Sequence, residues 1–340
     1  MTRVLAVRLD SDGDVLLTGP AIRALAQTSD GVDLLVSPAG RAAAALLPCV
    51  GDVLVFDAPW TGYSPAGVDQ GAIQSLVRRL RRNAYSRAVI FTSFHQSPLP
   101  MALLARMARI PFVAATSVDY AGSLLDVRHQ RPEGHEVRAA LDLAMAAGGR
   151  LAAGDDGSLR LTQPLPQHNP VAVRPYVVVH PGASVPSRAL TAEHAAGIVG
   201  ALSRAGWPVV VTGGPGERDL AALAAGVSAI NLAGRTDLPG LARVLADAAC
   251  VVVGNTGPAH LAAAVGTPVV SLFSPVVPAE RWAPYGVPTV LLGNQLASCR
   301  DSRARSCPLP GHPCLSQVCS DEVVTAVEKL TAPMVAGVAR

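Results

Sequence analysis

The stretch from Gly254 to Phe273, GNTGPAHLAAAVGTPVVSLF, limits what this chain can fold into more than any other. Val251 to Val253 run as an apolar strand into Gly254-Asn255-Thr256-Gly257. Pro258 then sits where a helix takes its first residue, because proline there loses no needed N–H. An Ala-rich helix follows, and Gly266-Thr267-Pro268 turns the chain into a second buried strand, Val269 to Phe273. The unit is strand, turn, helix, strand, with polar groups and unsatisfied N–H donors gathered at a helix N-terminus. That arrangement favours an anion, typically a phosphate, at the carboxyl end of a parallel sheet.

The rest of the chain repeats the pattern. Val4–Arg8, Val32–Val36, Asp52–Phe56 and Arg87–Phe91 read as strands. Helical periodicity separates them over Val15–Ala26, Arg41–Leu47 and Gln70–Asn83, and another helix follows near Pro100–Ala108. Strands alternating with helices mean βαβ units and a parallel sheet. Between Ala152 and Pro175 the pattern lapses into Gly, Asp, Gln, Asn and Pro, which marks a domain boundary. It restarts with a strand at Tyr176–His180, a helix capped by Thr191, a strand at Pro208–Thr212 and a helix at Asp219–Ala225. The expected organisation is an α/β chain with two doubly wound domains, residues 1–165 and 172–320. A C-terminal helix over 321–340 could pack back on the first domain. Each domain presents strand carboxyl ends where a ligand binds, and facing domains would hold a donor and an acceptor across a cleft.

With half of its 340 residues hydrophobic and 16% charged, the chain has ample material for buried sheets. A net charge of +3 and an aromatic content of 4% argue against a nucleic-acid partner. No signal peptide is visible, and the longest uncharged stretch, Leu261 to Ala279, is broken by Gly266, Pro268, Pro275 and Pro278. The expected location is cytoplasmic, with no transmembrane span. The run Arg78, Arg79, Arg81 and Arg82 reads as a solvated helix face, with peripheral association at the inner membrane surface or with an anionic acceptor as the other readings. There is neither a G-x-G-x-x-G fingerprint nor a P-loop, and no cofactor is called for.

Of the six cysteines, Cys49 and Cys250 lie in apolar sequence and read as core thiols. Cys299, Cys307, Cys314 and Cys319 cluster in a Pro- and Gly-containing segment. Their spacings give no tight C-x2-C pair, so a loop with reduced thiols is favoured over a zinc knuckle, and no metal is assigned.

Five places carry candidate chemistry. Asp10-Ser11-Asp12-Gly13-Asp14 puts three carboxylates within five residues at a strand-to-helix turn. Asp12 and Asp14 either cap the helix or, in the functional reading, Asp14 is a general base with Asp10, Ser11, Asp12 and Gly13 on the acceptor side. Asp10-Ser11-Asp12 also spells D-x-D, a short pattern that chance supplies often. His180-Pro-Gly-Ala-Ser184-Val-Pro-Ser187-Arg188 empties a strand into a loop whose hydroxyls, N–H groups and guanidinium suit a diphosphate. Asn255, Thr256 and Gly257 offer donors, with His260 three residues into the helix on the same turn. Thr212 and Gly213 form a tight strand exit that permits close approach of a ligand. Leu232 to Leu238 reads as strand, turn and helix start, with an apolar side suited to a base.

Taken together, Leu9 to Pro20 (LDSDGDVLLTGP), the HPGAS loop, NTGPAHLAAAVGTPVVSLF and CPLPGHPC at Cys307–Cys314 resemble glycosyltransferase family 9, the ADP-heptose:lipopolysaccharide heptosyltransferases and their relatives. The resemblance implies a GT-B fold with two facing Rossmann-like domains. It also implies inverting, metal-independent transfer of a sugar from a nucleotide donor, with ADP-heptose favoured. Carried over by position, Asp14 matches the catalytic base. Ser184, Ser187 and Arg188 match the phosphate loop, Arg188 standing where the family usually has lysine. Thr256, Gly257 and His260 match the donor motif D-[ST]-G-x-x-H, in which this chain has Asn255 in place of aspartate. The composition resembles that of high-GC bacteria, which widens the acceptor to a glycan, a glycolipid or a small-molecule aglycone. Two other readings share the architecture, a non-catalytic nucleotide-sugar-binding scaffold and a GT-B-shaped UDP-sugar epimerase.

Overall fold

The computed structural model describes residues 2–62, 65–93 and 95–338, with side chains in the last helix described up to residue 332. Contacts divide the chain into Met1–Thr162 and Gln163–Arg340, the break falling inside the Gly/Pro/Asn-rich lapse.

The first unit is a six-stranded, wholly parallel sheet. Its strands are β1 (Arg3–Arg8), β2 (Gly31–Val36), β3 (Val50–Val55), β4 (Arg87–Phe91), β5 (Phe112–Thr116) and β6 (Val127–His129). They lie in the order β3-β2-β1-β4-β5-β6. β1 is central, Val4 pairing with Val32 on one side and with Arg87 on the other. Val4 to Val7 are fully buried, as expected of a strand covered on both faces. The second unit repeats this design with β7 (Val177–His180), β8 (Val209–Val211), β9 (Ile230–Asn231), β10 (Cys250–Gly254), β11 (Val269–Leu272) and β12 (Thr289–Leu292). Its order is β12-β11-β10-β7-β8-β9, again parallel, with Val178 between Val251 and Val210.

In both sheets the order in which strands are added therefore reverses between the first and fourth strands of the unit. The reversal opens a crevice at the strand carboxyl ends, where doubly wound folds bind ligands. In the first unit the crevice lies after Arg8 and Phe91. In the second it lies after His180 and Gly254.

Three features depart from the sequence reading. The helix expected over Val15–Ala26 is two, Asp12–Leu17 and Gly19–Ala26, parted at Thr18. Pro20 lacks the N–H a continuous helix would need, and its ring would strike a carbonyl one turn earlier. Two strands (β5, β6) and the helix Glu136–Ala146 complete the first sheet in a stretch with weaker periodicity. The C-terminal helix Ser320–Val338 packs Val323, Ala326 and Val327 into the core of the second unit, against the helix Ala192–Arg204 and β10–β12. Ala339 and Arg340, the end of the expected C-terminal helix, lie outside the described residues. Among the described residues no helix is long and apolar enough to cross a membrane.

Candidate functional site

The crevice of the first unit is organised by one arginine. Arg8 ends β1 and is buried, although the four residues before it, Val4 to Val7, are all apolar. Its Nε lies 2.8 Å from Asp10 Oδ2, and its Nη2 donates to Asp14 Oδ1 at 2.9 Å and to Ser93 Oγ at 3.0 Å. Gln96 extends the network by donating to Asp10 Oδ1 at 2.6 Å while its Oε1 accepts from the Ser93 N–H. Behind it, Arg131 pairs with buried Glu136 at 2.8 Å and also donates to the Thr92 carbonyl. Burial works against the Arg8 charge, but the carboxylates of Asp10, Asp14 and Glu136 more than offset it, and the pKa rises. Asp10 is shifted upward mainly by burial and also by Asp14, with Arg8 and Gln96 pulling the other way.

The three carboxylates of the turn thus have different tasks. Asp10 is locked to Arg8 and Gln96. Asp12 reaches away to accept the Ala43 N–H at 3.0 Å, and burial raises its pKa while that bond opposes the shift. The two acids of the D-x-D pattern therefore diverge instead of sharing a ligand. Asp14, in the first turn of Asp12–Leu17, keeps its second oxygen toward exposed Ser11, whose hydroxyl donates at 3.3 Å. Neither Asp12 nor Asp14 follows the capping reading, since the N-cap is Ser11, without a side-chain cap bond. Gly13 is buried, and the turn is clamped by Ser37 Oγ donating to the Asp10 carbonyl at 2.7 Å.

Beside this cluster lies a cavity of about 280 Å³. Buried Leu9, Ile90 and Met101 form its floor, half-buried Trp60, Thr61 and Gln96 its wall, and exposed His95 and Ser97 its rim. Trp60 is held by Phe56, ring centroids 5.8 Å apart and tilted at 51°.

In the second unit the loops after β7, β8 and β10 converge. A Cβ on Gly254 would stand 2.5 Å from the Arg188 carbonyl oxygen, so the β10 exit touches the HPGAS loop and only glycine fits. This contact brings Ser184 and Arg188 to the same end of the sheet as Thr256, Gly257 and His260. Thr256 caps the helix Gly257–Ala264 from an extended conformation, and its hydroxyl makes no cap bond. His260 is buried in the first turn, Ser184 is exposed and Arg188 is half-buried.

Three of the expected contact residues face inward. Ser187 is fully buried; its hydroxyl donates to the Ala304 carbonyl at 2.5 Å and its N–H to Arg305 O at 2.8 Å. It staples the phosphate loop to the Cys-rich segment instead of offering a hydroxyl to a ligand. Asn255 is likewise buried, with its amide donating to Ser274 O and accepting Ser274 N–H, each at 3.2 Å. An aspartate could not make the first bond. Thr212 is turned to buried His180, Oγ1 to Nδ1 at 3.0 Å, leaving Gly213 as the half-buried part of that exit.

Sequence reasoning missed Arg8, Ser93, Gln96 and Trp60 in the first unit, and Glu217 in the second. Glu217 Oε2 accepts the Gly214 N–H at 2.6 Å and lies 3.6 Å from His180 Nε2. A Cβ on Gly182 would fall 2.1 Å from its other oxygen, so the carboxylate lies directly on the HPG turn. Burial lowers the His180 pKa, and Glu217 resists the shift. An arginine ending an apolar strand was a usable signal for Arg8. Ser93 and Gln96 gave none, being about 85 residues from their partners.

All six cysteines are free thiols. Cys250 is in the core as expected, its thiol pushed up to about 12 by burial. Cys49 is exposed, at a positive φ of 67°, which corrects its assignment to the core. Cys299 and Cys314 are buried, and burial raises the Cys314 thiol to about 11. Among the described residues no group of three or more His, Cys, Asp or Glu is arranged to hold a metal.

Against known proteins, the chain matches the family model for glycosyltransferase family 9 (heptosyltransferase) over residues 73–312. It belongs to that family. It is 36% identical over 127 residues to lipopolysaccharide heptosyltransferase 1 of Pseudomonas aeruginosa, covering 37% of this chain and 32% of that protein. It is 36% identical over 104 residues to lipopolysaccharide heptosyltransferase 3 of Escherichia coli, covering 29% and 30%. The chain thus spans about a third of the length of the curated relatives it matches. Solved structures resemble it over nearly their whole length. A family 9 glycosyl transferase from Veillonella parvula has a TM-score of 0.75 at 16% identity, with 98% of this chain and 97% of that one covered. Escherichia coli heptosyltransferase WaaC with ADP-2-deoxy-2-fluoro heptose has a TM-score of 0.71 at 22% identity, with 96% and 99% covered. At such identities the likeness speaks for the fold, which is α/β of the GT-B class.

Proposed function

We propose that this chain is an inverting, metal-independent glycosyltransferase that moves a sugar, with ADP-heptose the favoured donor, onto a hydroxyl of a glycan, glycolipid or small-molecule acceptor. Asp14 takes the proton of the acceptor hydroxyl as its oxygen bonds to the anomeric carbon, and the bond from that carbon to the diphosphate breaks. Arg188, Ser184, the Thr256 hydroxyl and the Gly257 N–H stabilise the charge that builds on the departing diphosphate, the Thr256 N–H being bonded to the Gly254 carbonyl at 2.9 Å. Gly213 and His260 belong to the same donor site, with Thr212, Ser187 and Asn255 behind it as positioning residues. Asp10, Ser11, Asp12 and Gly13 shape the acceptor side. The enzyme works in the cytoplasm, at the inner face of the membrane where the acceptor is membrane-bound.

One observation carries this reading: Asp14 is oriented by a buried arginine at 2.9 Å yet retains an oxygen on the open side of the strand end. Family membership adds the donor class, since a solved neighbour was seen with an ADP-heptose analogue. Calorimetry with ADP, GDP, UDP and dTDP tests the donor half. ADP binding that disappears in Arg188→Ala is expected, and no nucleotide binding at all would remove the reading. For the chemistry, Asp14→Asn should lower turnover by about 10²-fold or more while ADP still binds. Unchanged turnover in that variant would take the base away from Asp14.

A further inference from the structure

The cavity beside Asp10 has a chemical character that narrows the acceptor. Its wall carries neither lysine nor arginine among the described residues, and His95 is its one titratable side chain there. The nearest cations are spent: Arg8 on Asp10 and Asp14, Arg131 on Glu136. On the rim, Ser97 Oγ donates to the Asp119 carboxylate at 3.1 Å. An anion entering here would find no permanent counter-charge in the lining and an excess of carboxylates around it. Trp60, braced by Phe56, instead offers a flat apolar face, and Gln96 and Thr61 offer hydrogen bonds at its edge. At about 280 Å³ the space lies below the usual range for drug-sized ligands, and suits one ring. Gln96 is shared, forming cavity wall on one side and bonding Asp10 on the other, so a ring seated here lies one hydrogen bond from the carboxylate cluster.

Building on the proposed transfer reaction, we infer that this cavity holds the acceptor, and that the group it holds is a single uncharged ring with one apolar face stacked on Trp60. The ring belongs either to a neutral sugar or to an aglycone; their shared chemistry is an uncharged face with hydroxyls at its edge.

Saturation-transfer NMR tests this with the full chain and three probes: methyl β-D-glucopyranoside, its uronate counterpart and benzyl alcohol. At least one neutral probe should bind about fivefold more tightly than the uronate, the cost of one like-charge repulsion at about 4 Å in water. Trp60→Ala should abolish that binding, while Trp60→Phe retains most of it. Thr61→Lys should shift the preference toward the uronate by about fivefold or more, and this variant decides the matter if Trp60→Ala does not fold. A preference for benzyl alcohol assigns the ring to an aglycone, and one for the glucoside assigns it to a sugar. The inference falls if the uronate binds wild type as well as the neutral probes. It falls also if no probe binds, or if Thr61→Lys leaves the preference unchanged. None of these readouts uses a nucleotide, so absence of ADP binding would defeat the transfer reading, and with it the acceptor assignment, while leaving the cavity's preference for a neutral ring intact.

Discussion

Replacing Arg8 with methionine, similar in length and without charge, tests the network that organises the first unit. Arg8 has 4% of its side chain exposed, Asp10 11% and Asp14 23%, so water screens these pairs poorly. At 2.8 and 2.9 Å, each pair contributes an attraction of about 6 kcal/mol at an effective dielectric of about 20. Desolvation of three charges and the mutual repulsion of the two acids consume much of this. Removing one partner still strands the others, and the expected loss is about 3–5 kcal/mol near pH 8.

The loss depends on pH in a fixed direction. The Asp10 pKa is raised in the folded state, chiefly by burial, so its contribution favours folding at low pH and is lost as pH rises through that value. Without Arg8 the shift grows, and the penalty deepens as the carboxyl ionises. The gap between wild type and Arg8→Met should therefore be largest at alkaline pH and narrow as the solution is acidified. Urea unfolding at several pH values measures it, followed by Trp60, the only tryptophan of the first unit, in a Trp207→Phe, Trp282→Phe background. A loss below about 1 kcal/mol near pH 8 would show that the network is not stabilised as a buried ion cluster. A gap that widens on acidification would refute the assigned role of Asp10.

In the second unit, Gly254→Ala should displace the Arg188 carbonyl, weakening ADP binding about tenfold and lowering stability by about 1–3 kcal/mol, read by calorimetry and thermal melting. Asn255→Asp removes the donor to Ser274 O and sets two oxygens against each other. It should cost about 1–3 kcal/mol at neutral pH, and less in acid where the carboxyl can donate. Thiol labelling near pH 8, mapped by mass spectrometry, should reach exposed Cys49 and Cys319 first. It should leave Cys250 and Cys314, raised to about 12 and about 11, unmodified until the chain unfolds.

How far the sequence carries depends on whether the determining contacts are local. The parallel sheets were legible because apolar strands such as Val4–Val7 and Val251–Val253 alternate with helical stretches, and each signal lies within its own segment. The position of the candidate sites was legible for the same reason, since polar residues gather within four positions of the ends of β1, β7 and β10. What each polar residue does was harder to read. Asp12, Ser187 and Asn255 look like ligand contacts in sequence, yet each bonds to backbone at Ala43, Ala304 or Ser274. Glycine- and serine-rich strand exits contain few side chains, so polar side chains must also supply the bonds that hold the turns in place. A turn that approaches a ligand closely therefore needs two polar sets, one facing the ligand and one facing the protein. Sequence spacing does not separate them, because partners such as Ser187 and Ala304 meet only through the fold. Exposure does separate them. Ser184 and Arg188 retain accessible surface, whereas Ser187 between them has none. The same criterion sets Asp14 apart from Asp10, though both bond to Arg8: Asp14 has 23% of its side chain exposed against 11% for Asp10, and that difference is the ground on which the proposed transfer assigns the base to Asp14.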